Sequence, residues 1–191
     1  MTYAGFWRRF AALWLDVLIM SPLMALAWWG KEHLRLFDLY YLIPATVFGF
    51  FYGVYLVQRF GGTPGKRLMK VSIVKVNGEP VTYREALLRY LPEWLMSIGS
   101  SIALIIAALH LTDAQYFSAP SFVERMQLIK SVTPSWYGLT QLALNIWIWS
   151  EFIVMLTNKK RRAIHDFIAG TVVIKDAQPD APRNAPQAAR A

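Results

Sequence analysis

Four polar side chains lie inside apolar stretches and are the residues of this chain best placed to do chemistry. They are Asp16 in RRFAALWLDVLI (8–19), and Gln141, Asn145 and Glu151 in QLALNIWIWSEF (141–152). An ionised carboxylate near mid-bilayer costs about 2.5–3.5 kcal/mol on insertion scales, and less toward the interface. Such a group must pair with a cation, take up a proton or bind an ion. Asp16 and Glu151 each sit about six residues from one end of their apolar run, a depth of roughly 9 Å at 1.5 Å per residue. Two carboxylates at one depth can face one cavity. Gln141 and Asn145, one helical turn apart, extend a polar stripe from it. Asp16, Glu151, Asn145 and Gln141 are therefore the candidate ion or proton site. The competing role for Asp16 is a structural lock that orders the helices.

The elements that must position these residues follow from hydropathy. Hydrophobic residues make up 55% of the 191, above the 45–50% of ordinary soluble domains, and they fall in blocks. A membrane-spanning helix takes about 20 mostly apolar residues. Four runs qualify, at about 10–29, 39–58, 93–111 and 136–156. The third is predicted to begin near Trp94, because Pro92 and Glu93 precede it. The first has the basic start and the small-residue ALA (25–27) of a cleavable signal, but its length and Asp16 favour a retained span. The 8 Trp and 9 Tyr suit the two membrane interfaces, where a ring with a polar tip is at home.

Lys and Arg near span ends set orientation. Thirteen lie in the N-terminal segment, in 59–90 and just after the fourth span, against four in the other two loops. Both termini are therefore expected in the cytoplasm, which four spans allow. The cytoplasmic segment 59–90 carries more than a loop. VSIVKV (71–76) reads as a strand, NGEP as a turn and VTY as its return. TYRE (82–85) has capping-box form and opens an amphipathic helix, REALLRYL (84–91), predicted to stop before Pro92. Ala86, Leu87 and Tyr90 would face membrane or protein, and Arg84, Glu85 and Arg89 water or headgroups. SFVERMQLIK (121–130) reads as an interfacial helix. The fold class is thus all-α integral membrane with a small cytoplasmic strand and amphipathic-helix element: a domain at 1–175, then a Pro/Ala-rich tail at 176–191 expected to be disordered.

Several chemistries are excluded. The chain has no cysteine, hence no thiol chemistry or Cys-based metal site. His33, His110 and His165 lack metal-ligand spacing. GGTPGKR (61–67) fails the phosphate-loop pattern at both ends, with Phe60 where the first glycine belongs and Arg67 where Ser or Thr does. With no nucleophile–base pair or cofactor loop in the sequence, the expectation is a non-enzyme without cofactor or metal.

The net charge of +8 suits nucleic acid or an anionic membrane surface. Its basic residues adjoin apolar blocks, which favours membrane lipids over nucleic acid. Lys66, Arg67, Lys159, Lys160, Arg161 and Arg162 are expected at anionic headgroups, each worth about 1 kcal/mol. Gly49 with Gly53, and Ser97 with Ser101, have the small-xxx-small spacing of close helix packing, read as intramolecular rather than as dimer contacts.

Three blocks together, GFWRRFAALWLD (5–16), GGTPGKRLMKVSIVKVNGEPVTYREALLR (61–89) and NKKRRAIHDFIAGTVVI (158–174), resemble the RDD family of bacterial membrane proteins. The family is named for one arginine and two aspartates, which fall on Arg9, Asp16 and Asp166. The resemblance implies a polytopic membrane protein of the inner membrane. Transport, including cation/proton exchange, is associated with some members, and membrane-complex assembly with others. Arg9 and Asp16 share a helix face, but roughly 10.5 Å of axis separates them. Lys66, Arg67 and Arg162 are thus equal candidates to face Asp16. Asp166 is expected to meet Arg9 or Arg67, with 172–174 pairing as a strand with 71–76. Two function classes remain. One is a carrier of an ion or small solute, oligomeric because four helices are few for a monomer. The other is a structural or accessory membrane protein in which the Arg/Asp set is a lock.

Overall fold

The computed structural model describes residues 2–176. Apart from Asp176, the tail expected to be disordered lies outside the described residues. Helix α1 spans Phe6–His33 and outlasts the apolar run at both ends, because hydropathy marks only the lipid-facing stretch. Helix α2, Phe37–Phe50, passes through one π turn at Phe51–Tyr55 into α3, Leu56–Phe60. Gly61, with φ of 74°, ends α3. Helix α4 is Pro64–Leu68, with Thr63 as N-cap and proline at its first position. Strand β1 is Val71–Lys75, and α5 is Tyr83–His110. Short helices α6, Asp113–Ser118, and α7, Phe122–Ser131, lead to α8, Tyr137–Thr157. Helix α9, Ile164–Ile168, and strand β2, Thr171–Lys175, follow.

The chain is mostly helical. Four helical stretches are long and apolar enough to cross a membrane: α1, the composite Phe37–Leu68, α5 and α8. Their large side chains cover the outside of the bundle, with Ile43 72% and Leu139 69% exposed. A soluble monomer does not expose contiguous apolar surface on that scale.

Two expectations are corrected. The amphipathic helix does not stop before Pro92; it is the first part of one 28-residue helix, α5. Proline removes one backbone hydrogen bond, yet α5 is anchored on both sides of it, after it by the Trp94 ring against Phe50 at 5.4 Å and before it by two contacts. The Glu85 carboxylate accepts the Thr82 N–H at 2.8 Å, and Tyr90 lies over Gly49 and Gly53, where any Cβ would collide with its ring. That contact is the use of the GFFYG spacing. The VTY return strand is also absent among the described residues. Pro80 makes a single bridge to Val74, because Thr82 is taken as the α5 cap. The partner of β1 is instead β2, antiparallel, with Ile73 opposite Val173.

The N-terminal segment joins this sheet. Ala4 donates to the Val173 carbonyl at 2.9 Å, and the Lys175 N–H to the Thr2 carbonyl at 2.9 Å. Ala4, Val71, Ile73 and Val173 bury one face against Val54, Val57, Val81 and Ala86. Both ends of the described chain thus meet at one end of the bundle, the sheet end. At the opposite end Ala107, Leu111, Tyr116 and Ile129 form a second core. Arg125, 7% exposed, donates there to Glu32 Oε2 at 2.6 Å.

Candidate functional site

Asp16 is 9% exposed, and its carboxylate is met by uncharged donors. Tyr52 Oη donates to Oδ1 at 2.5 Å, Thr63 Oγ1 to Oδ2 at 2.5 Å, and the Gly65 N–H to Oδ1 at 2.7 Å. Each donor has a local cause. Tyr52 lies in the π turn, whose extra residue shifts the face that the following side chains present. Thr63 and Pro64 start α4 so that the N–H of Gly65, which its own helix leaves free, points out. Gly65 lets α4 touch α1: a Cβ there would stand 2.7 Å from Asp16 Cγ and collide with the Ala12 carbonyl oxygen. None of the three basic candidates pairs with Asp16. Lys66 Nζ reaches only Thr63 Oγ1, at 3.5 Å. Arg67 pairs with Asp176 at 3.0 Å. Arg162 Nη2 donates to the Asp166 carbonyl at 2.8 Å, and its guanidinium covers the Phe167 ring at 4.2 Å.

Asp166 is fully buried and takes four donors. Arg9 Nη1 reaches Oδ2 at 3.0 Å, as does the Ala163 N–H at 3.0 Å. Thr171 Oγ1 reaches Oδ1 at 3.1 Å, and Arg89 Nη1 bonds the same oxygen. Arg89 also donates to Thr171 Oγ1 at 2.5 Å. One carboxylate therefore ties α1, α5, α9 and β2 together. Burial pushes the Asp166 carboxyl up; Arg89, His165 and Arg9, with the Ala163 N–H, outweigh that and hold it well below the usual carboxylate range. Arg9 retains two buried nitrogens, Nε and Nη2, without a partner among the described residues.

Glu151 sits in a separate set. Its Oε1 bonds His165 Nδ1, and Oε2 has no partner among the described residues. Asp16 and Glu151 share no hydrogen-bond partner. Gln141 Nε2 donates to Ser100 Oγ at 3.1 Å and Asn145 Nδ2 to the Gln141 carbonyl at 2.8 Å, so the amide stripe faces α5 and its own helix. Lys159, Lys160 and Arg161 follow α8 at the sheet end, exposed.

The sequence reading missed Arg89, Tyr52, Thr63, Gly65 and His165 as partners. Arg89 was expected toward water, yet its side chain is 8% exposed; what turns it inward is a carboxylate 77 positions away. A signal for it existed, since Arg89 closes the second of the three family-like blocks. The neutral donors to Asp16 had only the TPG sequence as signal, which reads locally as a turn.

No curated protein and no solved structure matches the chain. A family model does: the RDD family, over residues 3–170. That match takes in Arg9, Asp16 and Asp166 together with every helix that contacts them, so the chain belongs to the RDD family.

Proposed function

We propose that this protein is a non-enzymatic inner-membrane protein of structural or accessory type, in which Arg9, Asp16 and Asp166 lock the helix bundle. Both termini and the sheet face the cytoplasm, where the basic residues meet anionic lipid, and the reading needs no nucleic acid or cofactor. One observation carries it: the family carboxylates are already engaged by donors from separate elements. Asp166 accepts from four donors, two of them guanidinium groups. Asp16 accepts from three. A cation could enter either site only by breaking contacts that join separate elements, and a buried carboxylate so tied is a poor carrier.

A second reading has its own observation. Glu151 and His165 form a part-buried acid–imidazole pair in which one carboxylate oxygen has no partner among the described residues. If a homo-oligomer of this chain exchanges a cation for a proton, Glu151, not Asp16, carries it. Flux of monovalent cations and of a pH gradient in liposomes separates the two. On the lock reading, wild-type flux equals that of protein-free vesicles and Asp16→Asn lowers the unfolding temperature. On the exchange reading, wild type carries flux and Glu151→Gln abolishes it with the fold intact. Orientation is tested by single cysteines placed at Lys160 and Lys130. The chain has none of its own, and only the Lys130 position should label from outside.

A further inference from the structure

The sheet end carries a cleft of about 370 Å³ that neither charged cluster uses. Its walls come from the start of α1 (Gly5, Phe6, Trp7, Arg8), the end of α8 and the turn after it (Met155, Asn158, Arg161), and Lys175 of β2. Three features point to an occupant.

The first is charge. Arg8, Arg161 and Lys175 all line the cleft, and among the described residues no acidic one does. None of the three has a carboxylate within 4 Å among the described residues, whereas Arg9, Arg67 and Arg89 are all paired. Helix α1 adds to this field, having no side-chain cap and no acid in its first turn.

The second is backbone geometry. Arg161 has φ of 50°, the left-handed region that costs a non-glycine residue on the order of 1–2 kcal/mol. Asn158 holds it there from both sides: its carbonyl accepts the Arg161 N–H at 2.9 Å, and its Oδ1 accepts the Arg162 N–H at 2.7 Å. The Arg161 guanidinium lies directly over Gly5, where a Cβ would collide with Nη1. Glycine would relieve the strain at position 161. Arginine there aims a guanidinium into the cleft.

The third is position. The cleft opens where α1 and α8 leave their apolar runs. Trp7, 77% exposed, stands at its edge, as a residue of the interfacial belt does. Phe6, Leu156 and the nearly buried Met155 supply apolar lining beside the cations. A cationic rim beside an apolar lining fits a headgroup phosphate with its acyl chain.

We infer that this cleft is a binding site for one anionic phospholipid, its phosphate held by Arg8, Arg161 and Lys175 and its chain lying along Phe6, Met155 and Leu156. The inference rests on the membrane reading above but not on whether the protein transports, since its readout is lipid binding and not flux.

The test uses purified full-length protein and phosphatidylglycerol, with phosphatidylcholine and inorganic phosphate as separate arms. Binding is read by native mass spectrometry and by the lipid-induced shift in unfolding temperature. Phosphatidylglycerol should bind and stabilise, and the other two should do neither. Each cation replaced by glutamine should weaken binding about fivefold, and R8Q/R161Q/K175Q on the order of a hundredfold. K130Q removes an exposed charge of α7 at the opposite end of the bundle, well beyond a screening length from the cleft, and should leave binding within about twofold. R161G should raise the lipid-free unfolding temperature while weakening lipid binding about fivefold, as R161Q does, a pair of effects that a misfolded variant cannot produce. Equal binding by wild type and R161G, an equal loss in K130Q, or stabilisation by inorganic phosphate alone would each overturn the site.

Discussion

Arg9 and Asp166, 157 positions apart, meet at 3.0 Å with the aspartate fully enclosed. Arg89 bonds the other oxygen of that carboxylate. The family's arginine and second aspartate are thus two members of a triad whose third residue is not in the family's name.

Asp166→Asn leaves two enclosed guanidinium groups without a counter-charge. Removing one partner of a buried ion pair costs about 3–5 kcal/mol. We expect a large fall in unfolding temperature in detergent, greater than for Arg67→Gln, which loses only exposed contacts with Asp176 and Ser72. The exchange Arg9→Asp with Asp166→Arg should restore little, because the new cation faces Arg89; adding Arg89→Gln should improve it.

The same carboxylate makes stability depend on pH. Its folded pKa is depressed, so its contribution is fully present above the unfolded value, about 3.9. It is lost as pH falls toward the folded value. The stability difference between wild type and Asp166→Asn should be close to its full size at pH 5. Below about pH 4 it should shrink, with a slope of at most about 1.4 kcal/mol per pH unit. A difference that widened below about pH 4 would show the sign to be wrong.

Gly65→Ala should separate α1 from α4. The added carbon would stand 2.7 Å from Asp16 Cγ and 2.8 Å from the Asp16 backbone nitrogen, and overpacking of this kind costs about 1–3 kcal/mol. Gly138→Ala is the control. Nothing lies within 4 Å of a Cβ there, and a helical glycine replaced by alanine gains about 0.5–1 kcal/mol. Opposite shifts in unfolding temperature are expected.

At the opposite end, Arg125 donates to Glu32 and stacks over the Tyr116 ring at 5.5 Å. Arg125→Ala should release α6 and α7 while leaving the sheet end intact. Hydrogen exchange reads this directly: protection of α7 amides should fall about tenfold or more, with β1 and β2 unchanged.

Much of the fold was legible because four apolar blocks and a charge bias are linear properties of a sequence. The β1–β2 pairing and the Arg9–Asp166 contact were reachable once three separated blocks were read together. Two things were not legible, for one physical reason. The path of α5 through Pro92 is decided by Tyr90 settling on Gly49 and Gly53, and the neutral cradle of Asp16 by a π turn at Phe51–Tyr55. Both are long-range packing results that no local pattern encodes. The search for a cation opposite Asp16 assumed that a carboxylate needs charge. Two hydroxyls and one backbone N–H hold it instead.

The clasp between Thr2–Ala4 and β2 has a consequence for biogenesis. A ribosome makes about 5–20 residues per second, so Asp166 is made on the order of ten seconds after Arg9. During that interval α1 can enter the bilayer, but the charge triad cannot exist. A chain interrupted before α9 would carry Arg9 and Arg89 with no carboxylate between them and an unpaired β1 edge. In such a chain Thr2–Ala4 would also lack the strand they join, so the N-terminal segment is fixed only once β2 has been made.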